Sequence, residues 1–205
     1  MTRIGKFSML CAVLALAATL PASAAVWEFD PAHSGAHFSV RHLMISTVRG
    51  EFKAPTGTIE WDGKDPASVK IDASVDVSTI DTAEPKRDTH LKSPDFFDVA
   101  KFPTMTFKSR KAVSAGPNKL KVTGDLTIHG VTKEATFDVE FTPPIKDPWG
   151  NDKFGATATA TIDRTAYGLN WNKALETGGV MVGTDVTITI DGELAKKKEP
   201  AADKK

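Results

Sequence analysis

Five stretches of this chain alternate apolar and polar residues with a period of two, and that pattern restricts the fold more than any other feature. Val69, Ile71, Ala73, Val75 and Val77 interleave with Lys70, Asp72, Ser74, Asp76 and Ser78. Leu120, Val122, Gly124, Leu126 and Ile128 interleave with Lys121, Thr123, Asp125 and Thr127. Ala135 to Phe141, Phe154 to Ile162 and Val186 to Gly192 repeat the pattern, with Thr, Asp and Glu at most intervening positions. Successive strand side chains point to opposite faces, so each stretch is a strand with one buried and one wet face. Shorter candidates are Ala36 to Val40, Val48 to Phe52, Gly57 to Trp61 and Met105 to Ser109, and turn-forming Gly, Pro, Asn and Asp clusters separate the runs. Many one-faced antiparallel strands in one domain predict an all-β sandwich or barrel, and about eight strands of this length suit a small closed barrel.

A membrane barrel alternates too. Here Lys70, Asp72, Asp76, Lys119, Lys121, Asp138 and Glu140 would crowd a narrow lumen, and a single tyrosine cannot build two aromatic girdles. The polar face is therefore expected outside and the apolar face inside. Two stretches break the period. Asp81 to Val99 predicts one or two short helices, and Arg164 to Asp185 is a long glycine-containing connection of a length that is usually functional or mobile.

The ends bear on compartment. Arg3 and Lys6 precede an apolar run from Met9 to Leu20, too short to span a bilayer, and then Pro21 and the small-residue site Ala22-Ser23-Ala24. Residues 1–24 read as a signal peptide cleaved after Ala24, which predicts export to the periplasm without a stable membrane anchor. Cys11, the one cysteine, falls inside it, so the mature chain has no disulfide and is held by packing. Residues 25–194 are expected to form one domain, and 195–205 a lysine-rich disordered tail. Basic and acidic residues balance at 26 each, so nothing points to nucleic acid.

Catalytic and cofactor chemistry find little footing. No serine sits in a nucleophile elbow, and no phosphate-loop or dinucleotide fingerprint is present. His33 and His37, on one strand face, would stand about 13 Å apart, too far for a shared metal; no metal or cofactor is expected. The Asp147-Pro148-Trp149-Gly150 turn lacks the ligand count of a calcium loop. Arg87, Asp88 and His90 read as an ion pair and cap fixing a helix over the barrel end, or as groups meeting a ligand's polar head.

The inward residues are the informative ones. Phe38, Val40, Phe52, Val75, Phe97, Phe107, Leu126 and Phe137 supply bulk. Ala73, Gly124, Ala156, Ala158, Ala160 and Gly192 are small, which either opens room for one ligand or fills the taper of a packed barrel. Arg41, His42, Arg87, His90 and Trp171 are the candidates for the barrel mouth.

The ordered pieces Trp27-Glu28-Phe29-Asp30, Phe38-Ser39-Val40-Arg41-His42, Val48-Arg49-Gly50-Glu51-Phe52, Arg87-Asp88-Thr89-His90-Leu91, Gly124-Asp125-Leu126-Thr127-Ile128-His129-Gly130 and Tyr167-Gly168-Leu169 resemble the YceI family of polyisoprenoid-binding periplasmic proteins. That resemblance implies an antiparallel lipocalin-like β-barrel with a long apolar cavity for an isoprenoid chain, such as a quinone tail or polyprenyl phosphate, and no catalytic residue. A side-chain-filled barrel acting as a stress or interaction protein, and a periplasmic hydrolase, are the alternatives. An edge-free barrel has no need to dimerise, so a monomer or a homodimer fits.

Overall fold

A computed structural model describes residues 24–62, 64–176 and 178–198. Within them are the strands β1 (Ala25–Phe29), β2 (Gly35–His42), β3 (Ser46–Phe52), β4 (Thr56–Trp61), β5 (Lys70–Asp76), β6 (Thr104–Gly116), β7 (Lys119–Ile128), β8 (Val131–Phe141), β9 (Ile145–Lys146), β10 (Asp152–Asp163) and β11 (Val182–Lys196), and the helix α1 (Pro85–Lys92). All pairings are antiparallel, and β11–β1–β4–β5–β6–β7–β8–β10 closes back on β11, an eight-strand barrel.

The extra segments come from bends. One edge of β11 pairs with β10 throughout, while the other pairs first with β2 and then, beyond Glu193, with β1. Thus β1 and β2 are two halves of one barrel strand, bent at residues 30–34, and β3 and β4 are halves of the next, bent at 53–55 before Pro55 blocks further pairing. The free edge of β3 is capped by a bridge in which Glu51 and Asp81 exchange backbone hydrogen bonds of 2.8 and 2.9 Å. Segment 77–103 therefore shields the edge that β3 would otherwise expose.

The alternation maps onto the wall as expected. Lys70, Asp72, Asp76, Lys119, Lys121, Asp138 and Glu140 are exposed on the outer face, where the register sets Lys121 beside Asp138 at 2.5 Å and Lys108 beside Asp72 at 3.0 Å. Exposed pairs of this kind mainly specify register and contribute little stability. The Asp81–Val99 stretch supplies one helix, α1, with Glu84 accepting from the Lys86 N–H at its start and Pro85 in its first turn.

The two ends of the barrel go beyond the sequence pattern. β1 has no clean alternation and is recognised only through its partners. β11 runs through Lys196, and the Lys197 N–H still bonds the Val26 carbonyl, so the ordered wall passes the expected start of a tail at 195. The expected leader lies outside the described residues apart from Ala24, as does the tail from 199 onward.

Inside, the two ends are packed differently. At one end Trp27, Trp61, Leu120, Val122, Phe154 and Leu194 form a dense plug, with Phe154 edge-on to Trp27 at 4.8 Å and to Trp61 at 5.7 Å. At the other end Val77, Ile80, Leu91 and Phe97 from the 77–103 segment, and Tyr167 and Leu169 from the connection after β10, pack over the strand ends.

Candidate functional site

Between plug and roof the barrel is hollow, with an internal cavity of about 240 Å³. Its wall runs along β11 from Val182 to Leu194, thirteen residues or about 40 Å of strand, and about 30 Å along the axis for a usual barrel tilt. The wall is almost wholly carbon. Phe38, Val40, Phe52, Ala73, Val75, Phe107, Leu126, Phe137, Ala156 and Ala158 all line it, and Phe97 lines it from the roof. Most of these keep partial exposure although they point inward, because they face open space rather than one another. The neighbouring positions of the same parity, Ile71, Met105, Val139, Ile188 and Ile190, line it too; the period-two rule that identified the others reaches them without further information. Phe29, Leu91 and Phe96 belong to segments without alternation, and only the fold brings them in.

The small residues divide between the two roles open at the level of sequence. Ala73, Ala156, Ala158 and Gly192 border the cavity. Gly124 does not: a Cβ there would stand 2.3 Å from the Lys108 carbonyl oxygen and 2.8 Å from the Phe107 ring, so its absence allows close strand approach. Ala160 is buried but outside the cavity wall; its smallness belongs to packing.

The mouth candidates are not in the cavity wall. Arg87 donates from Nε to Thr82 Oγ1 and from Nη2 to the Thr82 carbonyl, both at 2.7 Å. Asp88 accepts from the Thr82 N–H and hydroxyl. The pair thus clamps a buried threonine next to the Glu51–Asp81 bridge, so Arg87 fastens the roof. Arg41 reaches outward to Thr47 Oγ1 and the Met44 carbonyl, and His42 sits at the end of β2 opposite Val182 and Ser46. His90 and Trp171 form the clasp of the roof. The His90 ring lies 4.9 Å from Trp171 and 5.1 Å from Phe96, Phe96 lies 5.2 Å from Trp171, and His90 Nε2 is 2.8 Å from an Asp95 carboxylate oxygen. These contacts join α1 and its C-terminal turn to the 164–182 connection.

Arg164, overlooked as a candidate because it lies outside the alternating run, borders the cavity and is 4% exposed. Its guanidinium donates to the carbonyls of Gly183, Leu169 and Val182, so it ties the connection to the start of β11 and leaves its carbon stem to the cavity. Burial pulls its pKa below the usual arginine value, with the Asp163 charge opposing. The His129-Gly130 turn is likewise structural. Both residues have positive φ, 52° and 73°, as a two-residue hairpin turn requires, and a Cβ on Gly130 would meet the Phe102 ring at 2.5 Å.

One group of metal-ligand type occurs among the described residues, Asp30, His33 and Glu193. Its centre is taken by Lys153, whose ammonium lies 2.9 Å from Asp30 Oδ2 and 2.6 Å from Glu193 Oε1. The Lys153 hydrogen bond, helped by the Ala32 N–H, lowers the Asp30 pKa to about 2. This is an ion-pair cluster pinning the 30–34 bend to β10 and β11. The Asp147 turn is self-satisfied in the same way, its carboxylate accepting from Trp149 and Asn151 N–H groups.

Known proteins share this architecture. The Campylobacter jejuni YceI protein superposes with a TM-score of 0.67 at 28% identity, over 93% of this chain and 100% of that one. Burkholderia cenocepacia BcnA (TM-score 0.69, 23% identity, 82% of this chain and 99% of that one) shares the fold. So does a polyisoprenoid-binding domain from Saccharophagus degradans (TM-score 0.60, 14% identity, 85% and 99%). In sequence, the UPF0312 proteins of Staphylococcus aureus strains USA300 and NCTC 8325 are each 44% identical over 170 residues, 82% of this chain and 96% of theirs. With residues 27–194 matching the YceI-like domain along almost the whole barrel, the chain belongs to the YceI family.

Proposed function

We propose that this protein is a periplasmic carrier that holds the hydrocarbon tail of an isoprenoid lipid, a quinone or a polyprenyl phosphate, inside the barrel. The observation that carries this reading is the cavity wall: long, nearly all carbon, stopped at one end by the Trp27–Trp61–Phe154 plug and roofed at the other by segments that clasp each other. A polar substrate would find nothing there to pair with, whereas a methylene leaving water for such a wall gains about 0.8 kcal/mol. At a more conservative figure of about 0.3 kcal/mol per heavy atom, a tail of about 20 carbons binds with roughly −6 kcal/mol, a Kd of tens of micromolar, and longer buried tails bind more tightly. The polyisoprenoid-binding domain of similar fold supports the ligand class, and the leader-like residues 1–24 support the compartment. The hollow interior disfavours the alternative of a filled barrel acting only through its surface.

The test is solvent extraction of protein purified from the periplasm, followed by mass spectrometry. A stoichiometric isoprenoid is expected. A ligand-free protein that also takes up neither quinone nor polyprenyl phosphate would refute the carrier reading.

A further inference from the structure

The hairpin between β2 and β3 breaks a local rule. The Ile45 N–H bonds the His42 carbonyl at 3.1 Å, and both central residues of this turn, Leu43 and Met44, have positive φ, 50° and 61°. Such a turn is ordinarily built from Asn, Asp or Gly, because the left-handed region brings Cβ close to a backbone carbonyl, a cost that Gly lacks and that the short polar side chains of Asn and Asp offset by local hydrogen bonds. Here the turn is made of large apolar residues, and it does not bury them. Ile45 is 79% and Met44 51% exposed.

The tip is braced rather than loose. Arg41 donates to the Met44 carbonyl at 2.9 Å and to Thr47 Oγ1 at 3.0 Å, and the Leu43 N–H bonds the Met181 carbonyl at 2.7 Å. Its position is informative as well. Val40 and Val182, the last cavity-lining residues of β2 and the first of β11, flank the base of the same hairpin, with Val182 opposite His42. An exposed apolar tip therefore stands at the rim of the roofed end of an apolar cavity.

We propose that the Leu43–Ile45 tip inserts into the surface of a lipid bilayer and sets the roofed end of the barrel against it. This rests on the carrier reading for its occupant: a chain that dissolves in bilayers enters a carbon-walled cavity without crossing water only where the mouth is applied to the membrane. The roof segments carry charges of both signs, Lys86, Lys92 and Lys173 against Glu84, Asp95 and Glu176, with Arg41 at the base of the hairpin. The attachment is accordingly by insertion of apolar side chains and not by attraction to anionic lipid.

The experiment is flotation of the mature full chain with phosphatidylcholine vesicles, alongside uptake of a dansyl-farnesyl probe delivered either in those vesicles or from ethanol. Two variants are compared with the native protein. One carries Met44→Asp and Ile45→Asp. The other carries Leu43→Asn, Met44→Gly and Ile45→Ser, residues the turn accepts more readily, so its fold is kept. Both are expected to lose at least tenfold in vesicle partitioning and in uptake rate from vesicles, with uptake from ethanol unchanged and native flotation insensitive to salt. Native protein that does not float, variants that float equally well, or flotation only on anionic vesicles at low salt would each overturn the proposal. Failure of the native protein to take up probe from ethanol would instead refute the carrier reading, and flotation would still decide the role of the tip.

Discussion

Trp171 rests against Phe96, ring centroids 5.2 Å apart and planes inclined at 41°, and this contact joins two segments distant in sequence into one roof over the cavity. Phe96 faces the cavity, so separating the pair is the simplest way to open it. Each aromatic contact contributes about 0.5–1.5 kcal/mol beyond area burial, and Trp171 also touches His90. Trp171→Ala is therefore expected to speed ligand release by about tenfold, each 1.4 kcal/mol being a factor of ten. Stopped-flow displacement of a fluorescent isoprenoid checks this; an unchanged release rate would mean that the ligand leaves by another route.

Ala158 lies in the middle of β10, opposite Val139 on one side and Ile190 on the other, and all three line the cavity. A phenylalanine there projects a ring into the open space instead of into packed neighbours. Ala158→Phe should reduce isoprenoid affinity by more than about tenfold while leaving thermal stability within about 1–3 kcal/mol of native, the usual cost of overpacking. Titration calorimetry with a short-chain quinone reads the first quantity and a melting curve the second. Retained affinity would show that the tail does not pass β10.

The Asp30–Lys153 pair makes stability pH-dependent in a defined window. The Asp30 pKa in the folded protein is about 2, below its ordinary value of 3.8, chiefly through the Lys153 hydrogen bond. A lowered folded-state pKa stabilises the fold above the unfolded value, and that contribution is lost as pH falls from about 4 through about 2. Asp30 is partly open to solvent, which screens the interaction, so about 1–2 kcal/mol is expected. Denaturant midpoints between pH 6 and 2 should fall across that window in the native protein and lose part of this slope in Asp30→Asn.

Arg87 fastens Thr82 through two 2.7 Å hydrogen bonds. Arg87→Ala should cost about 1–3 kcal/mol, the range for leaving buried polar groups unpaired, and should loosen the 77–103 segment. Hydrogen exchange at the Glu51 and Asp81 amides, which bridge that segment to β3, is the readout. A shift in ligand head-group preference with protection unchanged would return Arg87 to the binding site.

Much of this follows from neighbouring residues alone. The side of a strand on which a residue lies depends only on its parity, so Val75, Phe107, Leu126, Phe137 and Ala158 are inward on any closed barrel these strands make. The compensating charges of the outer face, the need for a helix after Asp81 and the hairpin at His129-Gly130 are local in the same sense. Tertiary structure decided what parity cannot carry. Whether inward side chains meet or leave a void depends on curvature and on neighbours far away in sequence, which is why Gly124 and Ala160 serve packing while Ala158 borders open space. Phe29 and Phe96 reach the cavity from segments with no alternation. Arg87, legible as a charge near a helix, is assigned its role only by Thr82, because a guanidinium binds whatever acceptors the fold brings within its reach.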